Sequence, residues 1–366
     1  PRYCVLTARN NKKMKRLIFE DIYSWGVFSQ ERQIDFNGHL WVRPDGNILI
    51  DPVAMSDADR EHLTALGGAK SIVLTNADHE REAAIFQEWT GADVIVHEAD
   101  ADALNITPAR TVQDREAIVP GLHAIHLNHG KSPGEIALYF PEKQTVLFGD
   151  LVVGEPMGAL TLLADSKLSD PPKASLELRK ILALRFNTIL VGDGHSIFKD
   201  ARQYLVDCLQ ARRDIYINRI HIDQIEWHYK NAPHPYDFED KDIDPLIGGK
   251  NLGYRIIRLQ PGKMSFPMHF HNFGEEMCYV MEGACTLKTP RGDVAVTAGD
   301  FIAFPPGTVG AHKFVNNTDA PVVFFILGTT TPHDVSEYPD SNKVLPYVVG
   351  KIYRKDPSLS YWDGEV

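Results

Sequence analysis

From Phe36 to about Arg213, short apolar runs alternate with stretches of helical spacing. HLWVRPDGNILIDP (39–52) reads as a hairpin turning at Asp45-Gly46. SDADREHLTALGG (56–68) predicts a helix: a serine cap, leucines three apart and a glycine stop. Strand SIVLT (71–75), helix EREAAIFQEW (80–89) and strand DVIVH (93–97) follow. Beyond them lie strands LHAIHL, EIALYF and TVLFGD, then helix ASLELRKILALRF, strand TILVGD and helix DARQYLVDCLQARR. Strands with helices between them predict a layered α/β domain over 17–213, preceded by an arm at 1–16.

Residues 214–249 break the pattern. HYKNAPHPYDFEDKDIDPLIGG is rich in proline, aspartate and aromatics without a sustained period, so this stretch reads as a connection. From Leu252 to Thr330 helical spacing disappears. YRIIRL, EMCYVMEG, ACTLKT, DVAVTAG, DFIAFP, AHKFVN and PVVFFILG are separated by turn residues, which predicts a small all-β barrel over 250–330. The tail, 331–366, is expected to wrap that barrel. The fold class is therefore α/β plus all-β.

The 366 residues leave room for two domains, and 43% hydrophobic with 24% charged residues is the composition of a soluble globular chain. No apolar run approaches the roughly 20 residues of a membrane span. A net charge of −11 argues against nucleic acid, and the basic cluster NNKKMKR (10–16) is expected to be solvated. The four cysteines, Cys4, Cys208, Cys278 and Cys285, lack CxxC spacing, and PRYCVLTARN lacks the features of a signal peptide. A cytoplasmic location and a small-molecule partner, without membrane or nucleic acid, are the expectation.

The chemistry concentrates in SFPMHFHNFGEEMCYVMEG (265–283). On a strand, residues i and i+2 face the same way, so His269 and His271 project together. Glu276 returns after a turn through Asn272-Phe273-Gly274, and His312 arrives on a separate strand. Three imidazoles and a carboxylate leave a coordination position open, as a catalytic metal requires. GKMSFPMHFHNFGEEMCYVMEG resembles the first motif of the cupin family, and GDFIAFPPGTVGAHKFVN the second. The resemblance implies a jelly-roll β-barrel with metal ligands His269, His271, Glu276 and His312. Glu275 competes with Glu276, but the spacing to Gly283 favours Glu276. It also implies one divalent transition metal (Fe, Mn, Ni, Zn or Cu), a homodimer, and chemistry of dioxygenase, decarboxylase or isomerase type. A non-catalytic metal and ligand sensor is the alternative. Arg255, Arg258 and Tyr279 are candidates for orienting an acidic substrate.

The first domain resembles the metallo-β-lactamase superfamily over about 17–212, through SIVLTNADHEREA, HGKSPGEIALYF, TVLFGDLV and ILVGDGH. This implies an αββα sandwich with loops at one edge carrying metal ligands. Most of those ligands are replaced: Asn76 and Asp78 stand at histidine positions, Glu80 and Arg81 follow, and Lys131 takes another histidine's place. A shifted alignment instead matches Asp78-His79 to the family's Asp-His pair. Asp150 and His195 are retained. The residual site is therefore Asp78, His79, Lys131, Asp150 and His195, with no N-terminal metal expected, and a single-metal hydrolase is the rival reading. Lys131 and Arg81 are expected to pair with Asp150 and Asp78 in place of metal. His97, His123, His126 and His129 are weaker candidates for filling the gap.

Overall fold

Alternation along the strands of the first domain sorts their side chains into three hydrophobic layers. Ile48 and Ile50 face one way and Leu49 the other; Val73 opposes Ile72, and Ile95 opposes Val94. In the second sheet, Leu147 and Leu190 oppose Val146 and Ile189. A sheet with two apolar faces must be covered on both. Accordingly, two sheets meet across a core of Trp41, Ile50, Leu138, Phe140 and Leu147. Helices Asp57–Ala65 and Ala83–Thr90 cover one outer face, with Leu63 and Phe86 in that layer. Helices Pro171–Glu177, Arg179–Leu182 and Ala201–Gln210 cover the other, with Leu178, Ile181 and Leu205. The result is the αββα sandwich that the resemblance implies.

The computed structural model describes residues 14–230, 232–355, 362, 363 and 365. The chain divides into two units, Pro1–Ile217 and Asn218–Val366. The first sheet runs in chain order through Lys15–Arg16, Ile22–Ser29, Ile34–Trp41, Ile48–Ile50, Ser71–Val73, Asp93–His97 and Arg110–Val112. Its early pairings are antiparallel and those from Ile48–Ile50 onward parallel. The second sheet has the spatial order Thr188–Val191, Thr145–Phe148, Ile136–Phe140, Leu122–His126, Ala117–Val119.

Several expectations need correction. Strand Ile22–Ser29 was not foreseen, because only Ile22 and Trp25 along it are buried and no period of two shows. Of the expected arm, residues 1–13 lie outside the described residues. Lys15–Arg16 pairs with the sheet, and Met14 is buried with its N–H donating to Asp59 Oδ1 at 2.8 Å. The expected helix 174–186 begins at Pro171, behind an Asp170 cap that accepts from the Lys173 N–H, and is divided at Leu178. Segment 214–249, read as a connection, contributes strands to the second unit: His228–Lys230 and Phe238–Asp242, the latter paired with Leu252–Leu259.

In the second unit a six-stranded sheet has the order His228–Lys230, Phe238–Asp242, Leu252–Leu259, Val322–Thr329, Glu276–Glu282, Phe301–Phe304. A three-stranded sheet is built from Gly292–Thr297, Ala284–Thr289 and Lys313–Val315. Ile257, Cys278, Val280, Leu287, Phe314 and Phe324 fill the space between them. The tail forms Val335–Tyr338, Lys343–Pro346 and Tyr353–Arg354, joined to the barrel through Phe270–His271. Cys208, Cys278 and Cys285 are free and buried. No helix among the described residues is long and apolar enough to cross a membrane.

Candidate metal centre

His269 and His312 lie opposite each other on an antiparallel bridge, exchanging backbone hydrogen bonds of 3.3 and 3.0 Å. His271 follows on the two-residue strand that the tail covers. Glu276 opens the next strand and pairs across it with Gly328. Here the glycine is required by close approach: a Cβ on Gly328 would stand 2.9 Å from Glu276 Cγ. Glu275 is exposed, so the choice of Glu276 agrees with the geometry.

One carboxylate oxygen, Glu276 Oε2, lies 3.5 Å from His271 Nε2, 3.7 Å from His312 Nε2 and 3.9 Å from His269 Nε2. Ligand atoms held about 2.0–2.2 Å from one ion stand about 3–3.5 Å apart. Those of His269, Glu276 and His312 all lie within 4.8 Å of one another, whereas His271 is near Glu276 but outside that group, so its ring has farther to move to join the same ion. The other ring nitrogen of each histidine is committed. His269 Nδ1 donates to Pro267 O and His312 Nδ1 to Gly310 O, both at 2.9 Å, while His271 Nδ1 donates to Asp334 Oδ2 at 2.6 Å. A carbonyl can only accept, so the proton of His269 and of His312 sits on Nδ1 and Nε2 is bare, as a ligand must be. Burial holds His269 down to about 4 and His312 to about 3, keeping both neutral. Burial pushes Glu276 upward.

His269, His271 and Glu276 border a cavity of about 630 Å³ whose lining also includes Arg255, Phe266, Asp334, Tyr338 and Tyr347. Asp334, Tyr338 and Tyr347 come from the tail and were not foreseen. Asp334 is 3% exposed and also accepts from the Phe273 and Val335 N–H groups. Arg258 and Tyr279 do not join the site. Arg258 is held by Glu239 at 2.7 and 2.8 Å over the Trp227 ring, and Tyr279 packs beside Phe301. Replacing Asp334 by asparagine should cut metal affinity about 10- to 100-fold, since His271 loses the carboxylate that fixes its tautomer. Competition with a chelator measures this, and unchanged affinity would contradict the role.

In the first unit, His79, Asp150 and Asp193 each offer a ligand atom within 4.8 Å of the others, but cations of the chain itself cap all three. Arg81 NH2 lies 2.8 Å from both His79 Nε2 and Asp193 Oδ1. Lys131 Nζ lies 2.9 Å from Asp150 Oδ2 and 2.6 Å from Asp78 Oδ2. The expected Lys131 pairs are thus present, whereas Arg81 pairs with Asp193 rather than Asp78. Arg81 sits at φ 38°, a strained conformation, with its guanidinium also over the Phe36 ring.

His79 is 1% exposed and its Nδ1 lies 2.8 Å from Asp51 Oδ2. Burial opposes its charge but Asp51 favours it, with a balance near 9. The Arg81 contact requires the opposite. Guanidinium only donates, so a 2.8 Å approach needs a bare Nε2, and two donors cannot face each other at that distance. We therefore assign neutral His79, protonated on Nδ1, with Arg81 seated where a metal would bind. A Cβ on Gly192 would stand 2.8 Å from His79 Cε1, so that ring fits only against glycine.

His195 stands apart, its Nδ1 facing Glu155 Oε2 at 3.9 Å. His97 and His126 stack on each other with centroids 3.9 Å apart, and neither belongs to the His79 group.

Comparison with known proteins agrees with both halves. The family model of the metallo-beta-lactamase superfamily matches residues 14–211, and that of the cupin domain matches 255–328. A cupin-superfamily sugar phosphate isomerase from Silicibacter pomeroyi is 30% identical over 40% of this chain and 98% of its own, with a TM-score of 0.35. The polyketide cyclase RemF from Streptomyces resistomycificus is 23% identical over 30% and 78%, with a TM-score of 0.28. A metallo-beta-lactamase from Pontibacter korlensis is 17% identical over 55% and 100%, with a TM-score of 0.45. No curated protein matches the chain. Matched over more than half of its length, the chain belongs to the metallo-beta-lactamase superfamily, and its second unit carries a cupin domain.

Proposed function

We propose that the protein is a metal-dependent cupin enzyme acting on a small polar or acidic molecule, with a first unit that has exchanged metal ions for its own cations. The observation that carries this reading is the convergence of three imidazole Nε2 atoms on one oxygen of Glu276, with every Nδ1 hydrogen-bonded. Such a donor set suits Fe, Mn, Ni, Zn or Cu. Once bound, the metal supplies Lewis-acid or oxygen-binding chemistry.

The chain's own residues do the rest. Pro267 O, Gly310 O and Asp334 hold the rings so that Nε2 points at the centre. Phe266 and Ile326 give the cavity an apolar wall that limits water, and Asp334, Tyr338 and Tyr347 of the tail also line it. The hydrolase reading is disfavoured because Lys131 and Arg81 already occupy the carboxylates and imidazole it would use.

Aerobic turnover of candidate acids by metal-loaded protein, followed by oxygen uptake and product analysis, separates the reaction types. Turnover that disappears in His312→Ala supports the enzyme. Tight ligand binding with no turnover under any metal would replace it with the sensor.

A further inference from the structure

Two of the residues lining the cupin cavity lie at opposite ends of the unit's sequence and face the same space. Arg255 stands on strand Leu252–Leu259, level with Asp242 on the neighbouring strand. Its NH1 lies 3.5 Å from Asp240 Oδ2 and its NH2 3.6 Å from Asp242 Oδ1. Each contact involves one terminal nitrogen, whereas a guanidinium has five N–H donors. The two aspartates therefore hold the side chain in place while leaving donors for a ligand. Tyr347 stands at the rim, its ring stacked beside His271 with centroids 6.2 Å apart. Its oxygen accepts a hydrogen bond from Ser336 Oγ at 3.1 Å, which leaves the phenolic hydrogen to donate elsewhere.

Arg255 and Tyr347 line the same cavity as His271 and Glu276, which sets them beside the ligand end. Of the carboxylates lining the cavity, Glu276 is engaged with the imidazoles and Asp334 with His271. A second lining cation, Lys250, forms no ion pair with a described residue and is exposed. The surface offered to a ligand is thus rich in donors and positive charge, with its negative groups already used.

We propose that Arg255 and Tyr347 form an oxyanion subsite beside the metal ligands, which binds a carboxylate or phosphate group of the substrate while another of its groups reaches the metal. This rests on the metal-dependent reading above. The guanidinium fork matches two oxygens of such a group, and the phenol supplies a further, neutral donor. Tyr347 lies outside the residues matched to the cupin family, so the specificity it confers belongs to this chain's tail.

Calorimetric titration of metal-loaded protein with succinate, and separately with inorganic phosphate, tests the subsite, with metal content measured on the same samples. Wild type should bind at least one anion, and the better one identifies the group. Tyr347→Phe and Arg255→Gln should each weaken that binding about tenfold or more while keeping the wild-type metal content. Failure of both anions to bind, or equal binding by both variants, overturns the proposal. Should Arg255→Gln misfold, Tyr347→Phe, which loses only a rim hydroxyl, decides. Should wild type hold no metal, the enzyme reading fails. The same titrations on metal-free protein then judge the subsite, retained by a loss in Tyr347→Phe and ended by unchanged affinity.

Discussion

Truncating Lys131 to alanine should destabilise the first unit by about 2–3 kcal/mol. Its ammonium sits between Asp78 and Asp150 at 2.6 and 2.9 Å, and Asp150 is only 3% exposed. Removing the cation leaves a buried carboxylate facing other acids, and breaking such pairs costs more than forming them yields. The figure is reduced from that of a fully buried pair because Asp78 is 56% exposed and Lys131 25%. Urea unfolding of the full chain measures it, and adding Asp150→Asn should recover part of the loss. No change in the unfolding midpoint would show that the pairs contribute nothing.

The pH dependence has a definite sign. Burial disfavours the charge of Asp150, and with His79 neutral it is the Lys131 ammonium that pulls its carboxyl back down. Burial likewise opposes the charge of Lys131, and Asp150 raises it above 10.5. A lowered acid contributes stability above its unfolded value and loses it as pH falls through its folded value. A raised lysine contributes below its unfolded value and loses it as pH rises through its folded value. The penalty of Lys131→Ala should therefore be level between about pH 5 and 9 and shrink in stronger acid or base.

Replacing His312 by alanine should weaken metal binding about 100-fold or more, beyond the effect of losing a group that merely orients a ligand. His312 is 2% exposed, stacked on Phe304 with centroids 3.6 Å apart, and its Nε2 is one of three facing Glu276 Oε2. No other described imidazole stands within reach of that position to replace it. Chelator competition provides the measurement. An affinity within threefold of wild type would remove His312 from the ligand set.

The clustering of the four proposed cupin ligands was legible because their geometry is local. Two histidines at i and i+2 share a strand face, Glu276 returns across a short turn, and His312 sits in a second recognisable motif. The Lys131 pairs were legible from chemistry, since cations stand where ligands would leave acids uncompensated. Other features were hidden for physical reasons. FEDKD (238–242) looks like a polar connection, yet Asp240 is fully buried beside Arg255. The usual rule of apolar inside and polar outside fails where a buried carboxylate faces an arginine of the neighbouring strand. Asp334 and Tyr347 join the site only through pairing of Phe270–His271 with Val335–Tyr338, a long-range match that no local pattern announces. The separation of Arg255 from Arg258 could have been read: residues three apart on a strand face opposite ways.

The most direct test is elemental analysis of the purified wild-type chain beside Asp150→Ala and His269→Ala/His271→Ala variants. The account predicts one metal per chain, unchanged in Asp150→Ala and absent from the double histidine variant. Two metals in the wild type, or loss of metal in Asp150→Ala, would contradict it and restore the first unit as a working metal site.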